Sequence, residues 1–154
     1  MQKRDDTLKE AVGYVKKVTK NKFYHSATIR KKMVGKYPPQ IINQTIKYLE
    51  DRGKINDELF VESLISLFIK KGYGSLKFKQ YLLNKDIPLD VYERYTKEVE
   101  EQSIENAYKI NEKTFDKYQD KEKDNKIYTK FKYLGFSNNS ISYIIKKEKE
   151  ANYD

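Results

Sequence analysis

The sequence predicts an all-α protein built from three tandem three-helix repeats that stack into an elongated, curved rod. Three observations carry this expectation. Apolar residues recur at helical spacing almost everywhere, and no run alternates with period two for long enough to make a strand. Glycines and prolines are few and fall between the periodic segments: Gly35, Gly53, Gly72, Gly74 and Gly135 separate them, and Pro38, Pro39 and Pro88 stand where helices start. One arrangement of apolar residues around a tight turn occurs three times, a period of about 50 residues of the kind that marks repeat proteins.

Nine helices are predicted, at roughly 7–20, 26–34, 38–51, 57–71, 75–84, 88–99, 102–119, 123–134 and 137–149. In the first, Leu8, Ala11, Val12, Val15 and Val18 share a face, with Gly13 as the only glycine inside a helical pattern. Ser26 is placed at the start of the second helix. Ile41, Ile42, Thr45, Ile46 and Leu49 line the third. Asn56 or Asp57 caps the fourth, whose acids suit its positive end and whose apolar stripe reads as Leu59, Phe60, Leu64, Leu67 and Phe68. Ser75 caps the fifth, after Gly72 ends the fourth. Ile104, Ala107, Tyr108, Asn111, Phe115 and Tyr118 form the stripe of the seventh, and the polar stretch Glu98–Gln102 is read as the joint before it.

The repeat is anchored on one apolar residue in each turn between a second and a third helix: Tyr37, Ile87 and Phe136. Phe78 and Leu82 precede Ile87 at the same spacing at which Ile127 and Phe131 precede Phe136, and Ile29 and Met33 stand one residue closer to Tyr37. After the anchors, Ile41, Ile42 and Thr45 correspond to Val91, Tyr92 and Tyr95 and to Ser140, Ile141 and Ile144. The domains read from this are 1–52, a basic first repeat, 53–99 and 100–154. Units of this kind make small cores and stack on neighbours, which suits a chain that is 38% hydrophobic and 36% charged better than one compact nine-helix bundle does.

The net charge of +9 is unevenly placed. Residues 1–50 carry 12 Lys and Arg against four Asp and Glu, residues 51–100 balance at nine each, and residues 101–154 carry 11 against ten. A lysine-rich proteome would explain the abundance of Lys but not this placement, which favours a polyanion or an acidic protein surface as partner. Within each repeat the second helix is basic on the side away from its apolar residues. Arg30, Lys31, Lys32 and Lys36 take this place in the first, Lys77, Lys79 and Lys85 in the second, and Lys126, Lys130 and Lys132 in the third. A repeated basic stripe can follow a phosphate backbone or a helical polymer, although short helices also carry Lys simply as a solvated face.

Residues for chemistry are scarce. There is no Cys, and His25 is the single His, read as a turn residue beside a helix start. No catalytic, cofactor or metal site is expected, and the chain is not read as an enzyme. Gly72-Tyr73-Gly74-Ser75 lacks the Gly-Lys-Ser/Thr ending of a phosphate loop and follows a helix rather than a strand. Met1-Gln2-Lys3-Arg4-Asp5-Asp6 leads into no apolar run, so it is not read as a signal peptide, and no stretch approaches the ~18 apolar residues of a membrane span. A cytoplasmic, monomeric protein without membrane contact is the expectation.

Three longer stretches are distinctive. The first is Ser26-x-x-Ile29-Arg30-x-Lys32-Met33, continuing through Tyr37 and Ile41 to Leu49. The second is Gly53-Lys54-Ile55-Asn56-Asp57-Glu58-Leu59-Phe60-Val61, which continues into Lys71-Gly72-Tyr73-Gly74 and Leu82-x-x-Lys85-x-Ile87. The third is Lys130-Phe131-x-x-Leu134-Gly135-Phe136-Ser137-x-x-x-Ile141. Together they resemble the bacterial RecX regulatory proteins, modulators of the RecA recombinase, and the second is similar to that family's Gly-x-Ile-Asp-Asp-x-x-Phe-Ala junction between first and second repeats. The likeness spans residues 7–146. Asn56 replaces an Asp, Val61 an Ala and Asp86 a Gly, and Lys stands where many members carry Arg, which weakens any inference of a bidentate guanidinium contact. The resemblance implies a protein without a cofactor that binds in the groove of the RecA filament on single-stranded DNA. There it limits filament extension, ATP hydrolysis, strand exchange and cleavage of the SOS repressor. Single-stranded DNA is then a partner inside the filament or, more weakly, alone. The competing reading is a stand-alone DNA-binding protein with helix-turn-helix-like units. Against it, no third helix is rich in Arg, Asn or Gln, and the helix after Pro88 carries Asp90, Glu93 and Glu98.

Overall fold

The computed structural model describes residues 2–20 and 22–152, and side chains from residue 6 onward. Among the described residues it is all-α: eight helices, no strand, and one isolated bridge between Val34 and Tyr37. The helices are α1 (Gln2–Thr19), α2 (Ser26–Met33), α3 (Pro39–Asp51), α4 (Asp57–Lys71), α5 (Ser75–Asn84), α6 (Leu89–Phe115), α7 (Asp120–Tyr133) and α8 (Asn138–Ala151). The chain divides into two compact units, Met1–Ser63 with Asn84–Ile87, and Leu64–Leu83 with Pro88–Asp154.

Eight helices stand where nine are expected because α6 runs without a break through the presumed joint at Glu98–Gln102. Neither Gly nor Pro interrupts it, Glu and Gln are good helix formers, and the Gln102 amide donates to the Glu98 carboxylate one turn back at 3.1 Å. The predicted helices 88–99 and 102–119 are successive parts of one 27-residue helix, which ends at Phe115.

In the first unit, α1 contributes Ala11, Val12 and Val15 to a core that α2 completes with Ile29 and Met33. Helix α3 adds Ile41, Ile42, Ile46 and Leu49, and Ile55 closes it from the following turn. Pro38 is the N-cap of α3 and Pro39 its first residue, where a missing N–H costs nothing. The helix ends in a left-handed Gly53 (φ 69°), with the Lys54 N–H donating to the Leu49 carbonyl at 2.8 Å. The return turn 84–87 brings Lys85, whose carbonyl accepts the Thr28 hydroxyl at 2.5 Å.

On α4 the buried face is Val61, Leu64, Ile65 and Phe68, whereas Leu59 and Leu67 are 48% and 44% exposed. The helix is apolar on most of its circumference, so two stripes compete in the sequence. The one spaced 61, 64, 65, 68 is the one that faces the core.

The second unit is rich in aromatic rings. Phe68 meets Phe78 edge-on at 5.4 Å, and Phe131 contacts both Phe115 and Phe136. The start of α5 docks backbone to backbone on the turn between α7 and α8: the Gly74 N–H donates to the Leu134 carbonyl at 2.8 Å and the Leu76 N–H to the Gly135 carbonyl at 2.9 Å. A Cβ on Gly135 would stand 2.6 Å from the Lys77 nitrogen, and its φ is 93°, so both approach and conformation require glycine there. Of the three anchors, Ile87 and Phe136 are fully buried and Tyr37 is half-buried.

Candidate partner-binding surface

The basic residues of the second helices lie outside the cores, as their spacing implies. On α2, Arg30, Lys31 and Lys32 are exposed between the buried Ile29 and Met33. On α7, Lys126, Lys130 and Lys132 are exposed around the buried Ile127 and Phe131. On α5, Lys77 and Lys79 flank the buried Phe78 and are themselves half-buried, and Lys85 is half-buried in the turn that follows.

Five of the ten, Arg30, Lys31, Lys32, Lys36 and Lys85, fall in the first unit. Arg30 donates to the Asn43 side-chain oxygen on α3 at 2.7 Å, which holds the guanidinium against the second and third helices. Lys32 and Lys85, 53 positions apart in sequence, share the Tyr24 ring, their ammonium nitrogens 5.9 and 5.8 Å from its centroid. Lys36 lies 4.6 Å over Tyr14, a ring that leans on Tyr37 at 5.8 Å and whose hydroxyl donates to the Lys32 carbonyl at 3.2 Å.

The other five are in the second unit. Lys77 lies 4.0 Å over Tyr73 and 5.1 Å over Tyr133. Lys130 approaches the same Tyr133 at 5.5 Å, and Lys71 approaches Tyr73 at 5.9 Å. Lys126 sits 4.9 Å over Tyr118. The end of α4, the turn after it, α5 and α7 thus assemble Lys71, Tyr73, Lys77, Tyr133 and Lys130 into one cluster, with Tyr133 73% exposed. An ammonium within about 6 Å of a ring centroid is attracted to the π face, while its aliphatic stem covers the ring and its head stays in water. Such pairs offer a cation for a phosphate or carboxylate beside a flat face on which a base or planar side chain can stack.

The tyrosines are the part of this surface that the sequence reading does not include, because it selects basic residues by helix face alone. Their positions carry the signal: Tyr24 and Tyr73 stand in the turns just before basic helices and Tyr133 at the end of one.

Two carboxylates, Asp57 from the predicted cap of α4 and Glu100 from the predicted joint at Glu98–Gln102, join distant helix starts. Asn56 caps α4, accepting from the Leu59 N–H at 3.1 Å. Asp57 is thereby free to accept from the Ser26 N–H at 2.7 Å and from the Ser26 hydroxyl at the start of α2. The N-cap of α2 is His25 rather than Ser26: its Nδ1 accepts from the Ala27 N–H at 3.0 Å, and its Nε2 lies 3.5 Å from Asp57. His25 is only 4% exposed, and burial lowers its pKa below the ordinary 6.5 against the opposing pull of Asp57. The Ser26 hydroxyl donates to Asp57, so this carboxylate ties the start of α2 to the start of α4. In the second unit, Glu100 of α6 accepts from the Ser75 hydroxyl and the Ser137 N–H, both at 3.1 Å, and from the Ser75 N–H at 3.4 Å. One buried carboxylate therefore joins the starts of α5 and α8, where helix dipoles favour negative charge.

Among the described residues no group of three or more His, Asp or Glu could hold a metal ion, and no helix is long and apolar enough to cross a membrane.

No family model matches the chain, and no curated protein matches it in sequence. Among solved structures, the crystal structure of a regulatory protein RecX is similar with a TM-score of 0.62 at 19% identity, covering 94% of this chain and 73% of that one. The chain therefore shares the helical fold of a RecX protein over nearly its whole length.

Proposed function

We propose that this protein is a regulator of the RecA recombinase that binds the groove of the RecA filament on single-stranded DNA and limits filament extension, ATPase, strand exchange and SOS coprotease activity. The observation that carries the reading is the fold likeness to a regulatory protein RecX over 94% of the chain. The three repeats, 1–52, 53–99 and 100–154, would supply successive weak contacts whose linkage gives one tight interaction when their spacing fits the filament. The contact residues are the ten basic side chains Arg30, Lys31, Lys32, Lys36, Lys77, Lys79, Lys85, Lys126, Lys130 and Lys132, and the work is done by a cytoplasmic monomer without cofactor. Regulation is then a shift of an assembly equilibrium by preferential binding to one state of the polymer.

The test is co-sedimentation with preformed RecA filaments on single-stranded DNA. The protein should pellet with filaments, and the triple change Arg30→Ala, Lys31→Ala and Lys32→Ala should weaken that binding about tenfold or more while leaving helicity unchanged, since three surface charge contacts are removed together. Pelleting that is unaffected by the triple change would remove α2 from the contact surface, and failure to pellet at all would remove the filament as partner.

A second reading, a protein that binds DNA on its own, draws support from the paired lysines and tyrosines at Tyr73 and Tyr133, which suit an unstacked strand better than a duplex groove. Exposed Asp90, Glu93 and Glu98 on α6 disfavour the helix-turn-helix version, because they would meet phosphates. Tight, salt-sensitive binding to single-stranded oligonucleotides without RecA would select this reading, and tight, sequence-specific duplex binding would select its helix-turn-helix version.

A further inference from the structure

The first unit contains a cavity of about 270 Å³ that the basic surface described above does not use. Its floor is aliphatic: Val15 of α1, Ile29 of α2, Leu49 of α3 and Ile55 of the next turn, all members of the core, so the cavity opens directly onto packed apolar side chains. The one uncharged polar side chain on its wall, Thr19, already donates its hydroxyl to the Val15 carbonyl at 2.8 Å. Phe23 stands at the edge with 52% of its surface in water, an unusual exposure for the largest apolar side chain of that connection.

Charge is arranged just as unevenly. Lys16, Lys22 and Lys54 line the cavity from three different segments, and all three are exposed. Among the described residues, none of the three belongs to an ion pair and no lining side chain is acidic. We propose that this cavity is a docking site for an acidic peptide segment, which inserts one apolar side chain beside Phe23 and sets its carboxylates against Lys16, Lys22 and Lys54.

Size and chemistry select this occupant. The volume is below the roughly 300–1,000 Å³ of small-molecule pockets and suits a single anchoring side chain of the kind that dominates protein interfaces. A nucleotide would also satisfy the lysines, but its base would place hydrogen-bonding edges on an aliphatic floor whose one hydroxyl is engaged, leaving them unpaired. A leucine or phenylalanine leaves nothing unpaired there. The proposal is independent of the filament reading, and its test contains neither RecA nor a filament.

The probe is a short fluorescent peptide with one central phenylalanine between aspartates, titrated with the full chain and read by anisotropy. Binding is expected, and the double change Lys16→Glu with Lys54→Glu should weaken it about tenfold or more. A change of equal charge far away in sequence, Lys113→Glu with Lys146→Glu, should leave it within about twofold. Circular dichroism checks that each variant folds, which substitution of exposed lysines permits. Three results overturn the proposal: a peptide with glycine in place of the phenylalanine binding equally well, the two double changes weakening binding alike, or oligothymidine binding in place of the peptide with loss on changing Lys16 and Lys54.

Discussion

Single side chains show how little separates a cap from a clasp in this protein. Glu100 is 9% exposed and holds three donors from two helix starts. Replacing it by Ala should cost about 2 kcal/mol in urea unfolding, because two backbone N–H groups and a hydroxyl lose a charged acceptor. His25 makes a pH prediction with a definite sign. Burial holds its folded pKa below the 6.5 of the free side chain, so between the two values the unfolded chain binds more protons than the folded one. The contribution of neutral His25 is complete above about pH 6.5 and is lost as pH falls from there through the folded pKa. Thermal midpoints measured downward from pH 7.5 should therefore drop below pH 6.5, before most carboxylates titrate, and His25→Asn, which keeps a capping oxygen, should flatten that drop. A slope unchanged by the substitution would assign the titration to another group. The sequence made both residues visible only as local features. The Asp57 link to Ser26 spans 31 positions and the Glu100 links span 25 and 37, distances over which spacing rules say nothing.

Helices and turns were the most legible part of the chain. Anchors and periodic apolar residues around the three tight turns mark α2, α3, α5, α7 and α8 within a few residues, because each has one narrow buried stripe and either a Gly or Pro close to an end or, for α8, the Ser137 cap. Two elements resisted. Helix α4 has a wide apolar circumference, so its buried face was not decided by pattern alone, and α6 continues across polar residues that favour helix as much as they favour a joint. Two glycines separate helix propensity from turn geometry. Gly13 sits in α1 with nothing within 4 Å of the Cβ it lacks, so Gly13→Ala should stabilise the protein by about 0.5–1 kcal/mol. Gly135→Ala should destabilise it by about 2 kcal/mol or more, since a Cβ would press on the start of α5 and φ is positive. Denaturant midpoints for the two variants should move in opposite directions.

Taken along its full length, the chain combines a RecX-like fold at 19% identity with a charge excess concentrated in residues 1–50. Low identity is compatible with one fold because the pattern that matters is an apolar anchor and a few stripe positions per turn, which many residue types can fill. The basic surface was half legible. Its lysines follow from helix faces, whereas the rings beneath them and the meeting of Lys32 with Lys85 on Tyr24 depend on tertiary packing across 53 positions. The regulatory reading is tested most directly by RecA ATPase on single-stranded DNA with this protein added well below one copy per RecA. Inhibition at that dose, weakening as salt rises, is the predicted result. Full ATPase activity even at equimolar protein, with filaments still forming and extending, would contradict it.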